Sequence, residues 1–163
     1  MKIKSVLSSG LIILSLTGCA TMAGQQAKVS ENMASTSADS AAKINTNIQA
    51  VISASNTDIA SITRILYGKT TPTEKELTNT FKELQKTTDS INYAIKTLES
   101  FKPSSDQLAH VNQVLSDLQN CNATVSDMQD TLTSGNIKSM RNTLNELKSD
   151  ITALEQDQQV LFQ

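Results

Sequence analysis

Apolar side chains return every three or four positions along most of this chain, the spacing of one face of an α-helix. The clearest stripe is Leu77, Phe81, Leu84, Thr88, Ile91, Ile95 and Leu98, which steps 4-3-4-3-4-3 and is broken only at Thr88. That repeat of seven is the seam of helices packed as in a coiled coil. A third stripe, Val111, Val114, Leu118, Cys121, Val125, Met128 and Leu132, has no polar break. A fourth runs Ile137, Met140, Leu144, Leu147, Ile151, Leu154, Gln158 and Leu161, with Gln158 at a frayed, wetted end. The first differs: Ile44, Ile48, Val51, Ser55, Ile59, Ile62 and Leu66 step 4-3-4-4-3-4. Two steps of eleven predict a straighter path than a heptad gives.

Turn chemistry separates the stripes. Thr71-Pro72-Thr73-Glu74 offers a cap, a proline for the first helical position and an acidic residue to complete a capping box. Lys102-Pro103 ends that helix, because a residue before proline is pushed out of the α region. Ser104 and Gln107 form a second capping-box candidate, and Asn136 caps the last helix after Gly135. Tyr67-Gly68 closes the first helix with a glycine suited to the left-handed position. The pattern therefore predicts helices over about 38–67, 72–101, 105–133 and 137–161. Loops this short join antiparallel neighbours, so the expected fold is all-α, an up-down four-helix bundle like a coiled coil. Counting outward from the first turn sets Ile62 against Phe81, Ile59 against Leu84 and Ser55 against Thr88. The two polar breaks, Ser55 and Thr88, are then expected in one layer at mid-bundle.

Composition supports long helices. The 163 residues hold only 5 glycines, 2 prolines, 3% aromatics and no tryptophan, which argues against a loop-rich β domain or a platform for stacking bases. A net charge of −2 provides no basic field for nucleic acid. Ser, Thr, Asn and Gln account for 63 positions, a heavy load that most simply coats the outer helix faces.

The first residues follow a different pattern. Lys2 and Lys4 precede an apolar stretch from Val6 to Leu16, too short to span a bilayer core, which takes about 20 residues. It reads as a secretory signal. The stretch ends Leu16-Thr17-Gly18-Cys19, which resembles the lipobox of bacterial lipoproteins: an apolar residue, two small ones, then cysteine. The resemblance covers the export segment alone. It implies a signal peptide over 1–18, cleavage before Cys19 and a diacylglyceryl thioether on Cys19. Several buried acyl chains hold firmly where one holds marginally. The resemblance further implies anchoring in the outer membrane on its periplasmic face in a Gram-negative cell, since Ala20 rather than Asp follows the cysteine. In a Gram-positive cell it implies the outer leaflet of the cell membrane. Cleavage takes the formal charge to −4. Residues 19–37, rich in Ala, Ser, Gln and Thr, read as a tether, and residues 38–163 as the bundle.

Candidate chemistry is sparse. Cys121, on an all-apolar stripe, is expected to be a buried thiol. His110 is the single histidine and is expected on the surface, out of reach of Cys121. No His or Cys cluster has metal-ligand spacing, so neither a metal nor another cofactor is expected. Asp117, Asp127, Asp130, Glu146, Asp150 and Glu155 are expected on solvent faces. The leading expectation for function is a non-enzymatic envelope module that presents a surface to a partner protein or to peptidoglycan. The alternatives are a small-ligand or lipid carrier with Ser55 and Thr88 as the polar floor of a pocket, and an exclusion lipoprotein of a mobile element. The oligomeric state is left open by the sequence.

Overall fold

The computed structural model describes the backbone of residues 19–163 and the side chains of residues 38–163. The expected signal peptide over 1–18 and the side chain of Cys19 lie outside the described residues. Among those described, the chain forms four helices and no strand: α1 Cys19–Tyr67, α2 Glu74–Glu99, α3 Leu108–Ser134 and α4 Ile137–Leu161. The segment expected as a tether has a helical backbone from Cys19 on. Residues 37–163 make one compact unit, a helical bundle. No helix among the described residues is long and apolar enough to cross a membrane.

The helix ends show how the sequence starts and stops each element. The capping box of α2 sits two residues later than Thr71 and Glu74 suggested. The Thr73 N–H donates to the Glu76 carboxylate at 2.8 Å, and the Glu76 N–H donates to the Thr73 hydroxyl at 3.2 Å. The Thr73 N–H and the Thr73 hydroxyl, both donating to the Glu76 carboxylate, lower its pKa. At α3 the expected box is only half made. Gln107 Oε1 accepts from the Ser104 hydroxyl at 3.0 Å, but no side chain caps the helix, which starts at Leu108. Asn136 caps α4 by accepting from the Ser139 N–H at 3.1 Å. Gly135 takes the left-handed conformation, φ 67°, that ends α3. Gly68 does not, because its N–H still closes a helical turn on the Arg64 carbonyl at 2.8 Å. Glycine is needed there for another reason: an added Cβ would run into that same carbonyl oxygen.

The buried stripes match expectation on α3 and α4 and differ on α1 and α2. All seven expected α3 positions are buried, and so are all eight on α4 except Ile137, which is 46% exposed. On α2 the buried positions are Thr80, Leu84, Thr87, Ile91, Ala94 and Leu98. Leu77, Thr88 and Ile95 flank this stripe half-buried, and Phe81 is 37% exposed. On α1, where Ile52 and Ser61 are buried to the side, the central inward line is Ile44, Ile48, Val51, Ser55, Asp58 and Ile62, with Ile65 half-buried beyond them. These step 4-3-4-3-4-3, a heptad in place of the expected eleven. The cause is rotational. At about 100° per residue, a 4-3 pair drifts the stripe by about −20°, whereas two steps of four swing it by about +80°. Neighbouring helices cannot follow such a swing, so position 58 faces inward and Ile59 moves to the flank.

α2 packs on α3 and α3 on α4. Side chains also join α1 to both of its neighbours. Asn47 donates to the Thr97 hydroxyl of α2 at 3.2 Å, and Ser61 donates to the Glu83 carboxylate at 3.1 Å. On α4, the Arg141 guanidinium lies 5.4 Å from the ring centre of Tyr67. Gln158, expected at a wetted end, is instead 5% exposed. It accepts from Gln49 at 2.8 Å and donates to Asn45 Oδ1, because the end of α4 lies against α1 rather than in solvent.

Two substitutions test this account of the first turn. Gly68→Ala is expected to lower unfolding free energy by about 1–3 kcal/mol through the forced shift at Arg64. Thr73→Ala is expected to lower it by about 1 kcal/mol through loss of the cap. Urea melts of the two variants check both. A neutral Gly68→Ala would show that the turn relaxes freely.

Candidate functional site

Ser55 and Thr88, expected together in a polar layer, have different environments. Ser55 is fully buried, and its hydroxyl has no hydrogen-bond partner among the described residues. Thr88 is half-buried and donates to the Leu84 carbonyl of its own helix at 3.1 Å. The inward threonine of α2 is its neighbour Thr87. A depression on the surface is lined by Gln49, Ile52, Ser53, Asn56, Thr57 and Ala60 of α1. Neither Ser55 nor Thr88 lines it, so it does not have the polar floor expected of a ligand pocket.

The residue that sequence reasoning missed is Asp58. One turn from Ser55, it is 1% exposed, and neither carboxylate oxygen has a hydrogen-bond partner among the described residues. Burial raises its pKa from 3.8 to about 6; Thr87 offsets part of that rise, and the Glu83 carboxylate adds to it. The Thr87 hydroxyl also donates to the Glu83 carbonyl of its own helix at 3.2 Å. Glu83 in turn accepts from Ser61. A rise of that size corresponds to roughly 3 kcal/mol favouring the protonated acid in the fold. The signal available in the sequence was the heptad itself: continuing 44, 48, 51, 55 by a step of three lands on 58.

A second acidic group lies between α3 and α4. Asp117, expected on a solvent face, is 5% exposed, and its Oδ2 has no hydrogen-bond partner among the described residues. It adjoins the stripe position Leu118, and the bundle closes over both. Its Oδ1 accepts from Gln113 at 3.2 Å. Burial raises its pKa to about 6, helped by a hydrogen bond it makes to Asp157 when protonated and by the charges of Asp157 and Asp150. Asp150, also expected in solvent, is half-buried and accepts from the buried Thr124 at 2.6 Å. Among the described residues no group of three His, Cys, Asp or Glu side chains is arranged to hold a metal ion.

Cys121 is a free thiol with no exposed surface. Burial pushes its pKa up to about 12, and the nearby carboxylates of Asp150 and Asp117 contribute. His110 is exposed, one residue before the buried Val111. Comparisons of the chain with protein-family models, curated proteins and solved structures find no match.

The thiol yields a direct test. In a Cys19→Ser chain, where Cys121 is the single thiol, a disulfide reagent at pH 8 is expected to label native protein about a hundredfold more slowly than denatured protein, since the thiolate is the reacting form. Equal rates would place Cys121 in reach of solvent.

Proposed function

We propose that this chain is a lipid-anchored protein of the bacterial cell envelope, and that its bundle is a non-enzymatic module for structure or protein interaction. The observation that carries the reading is the order of its first residues: Lys2 and Lys4, the apolar run, then Leu16-Thr17-Gly18-Cys19. Acyl chains on Cys19 hold the protein at a membrane with no spanning segment. In a Gram-negative host the anchor lies in the outer membrane on its periplasmic face, because Ala20 follows the cysteine; otherwise it lies in the outer leaflet of the cell membrane. Anchoring raises the local concentration of the bundle near a partner, an envelope protein or peptidoglycan.

The bundle is read as antiparallel and up-down, with coiled-coil-like seams. Cross-helix partners support this, since they fall in number as α1 advances. Asn47 meets Thr97 and Ser61 meets Glu83; Gln49 meets Gln158 and Tyr67 meets Arg141. The 4-3 stepping of buried positions on α1 and α2 supports the seams. The non-enzymatic reading is supported by the chemistry of the interior. Its acids are closed off from solvent, its thiol is held protonated, and its histidine stands apart on the surface.

Metabolic labelling with an alkyne fatty acid in a bacterial host tests the anchor. The wild-type chain is expected to take up label and shorten at Cys19, and Cys19→Ser is expected to do neither. An unlabelled, uncleaved wild-type chain would end the lipoprotein reading. Photocrosslinkers at the exposed positions Tyr93 and Asn56 are expected to give discrete protein adducts in the envelope. A large thermal shift with one lipid or metabolite, and no protein adduct, would favour the carrier alternative.

A further inference from the structure

We propose that Asp58 and Asp117 make the bundle an acid-tightened device, in which one proton at each carboxyl closes a helix interface that ionisation loosens. The two groups occupy equivalent predicaments on separate helix pairs. Asp58 stands on the inward stripe of α1 against α2, and Asp117 stands on α3 against α4. Three carboxylate oxygens between them, both of Asp58 and Oδ2 of Asp117, are buried without a hydrogen-bond partner. An ionised carboxylate can only accept, and a buried one without donors is costly. A protonated carboxyl carries no charge and becomes a donor. At Asp58 protonation removes a charge that burial and the Glu83 carboxylate both oppose, with Thr87 acting the other way. At Asp117 the Asp157 carboxylate accepts the proton.

The charges acting on both groups are negative. Glu83 of α2 acts on Asp58, while Asp157 and Asp150 of α4 act on Asp117. On its own helix Asp117 has the neutral Gln113, and its charge also bears on the Cys121 thiol, which stays protonated. The raised values of both acids, about 6, fix the direction. Between pH 6 and the unfolded value near 3.8, the folded chain binds more protons than the unfolded one, so stability rises as pH falls through 6. Above pH 6 both states are ionised and the burial penalty is felt in full. Glu76 and Asp106, whose carboxyls are held low by hydrogen bonds from Thr73 and Ser104, act oppositely, but only as pH falls through the ordinary carboxylate range.

The test is equilibrium unfolding of the full chain by urea at pH 7.5 and pH 5, beside a carbonyl NMR titration of the aspartate side chains. The unfolding constant is expected to fall about tenfold per site, and thus about a hundredfold for the two, on going to pH 5. Asp58→Asn and Asp117→Asn are each expected to remove about tenfold of this change. Asp58→Leu serves in place of Asp58→Asn if the amide disrupts folding. The titration is expected to show two aspartates with midpoints near 6. An unfolding constant that is unchanged or higher at pH 5, or midpoints near 4 for both groups, would overturn the proposal. So would a full pH response in a chain carrying both substitutions.

Discussion

Each helix of this bundle can turn only a limited face toward its neighbours, roughly three positions in every seven, and that geometric limit governs what lies inside. A helix whose apolar residues wander must either twist away from its partners or accept whatever side chain the stripe crosses. α1 does the latter. Its stripe passes from Ser55 to Asp58 and on to Ile62, leaving the more apolar Ile59 on the flank. α2 makes the same compromise with smaller consequences, burying Thr80, Thr87 and Ala94 while Phe81 remains partly in solvent.

The unusual load of uncharged polar residues divides into two structural uses. Many hydroxyls bond to a carbonyl four residues back on their own helix, as Thr46, Thr57, Ser90, Thr133 and Thr152 do. Such bonds let serine and threonine sit in helices without an orphaned donor. A smaller set crosses between helices. Asn47 with Thr97, Ser61 with Glu83, and Gln158 with Gln49 and Asn45 tie α1 to both of its neighbours. Apolar contact is indifferent to a sliding of one helix along another, whereas these directed bonds are made at one register only.

Buried acids without cationic partners are expensive, and a bundle could fill those positions with leucine at lower cost. At Asp58 the arrangement places a proton-dependent interaction on the helix that continues from the proposed anchor. The proposed acid response has its second group, Asp117, on α3, away from the helix that begins at the proposed anchor.

The sequence alone determined the helical class, the approximate bounds of α2, α3 and α4, the end of α1, and the apolar stripes of α3 and α4. In those segments period, apolarity and capping agree, so local preference and tertiary packing pick the same face. It also carried the stretch that resembles a lipobox, a linear pattern that needs no fold to be read. Tertiary structure decided which face α1 and α2 bury, because several rotations there offer similar apolarity and only the neighbouring helices choose among them. It decided that Gln158 lies inside, that Gly68 is needed for close approach rather than for a left-handed turn, and that Asp117 is withdrawn from water. Above all it placed Asp58 on the seam, since a carboxylate enters a core only when the geometry of surrounding helices leaves that position no other direction to face.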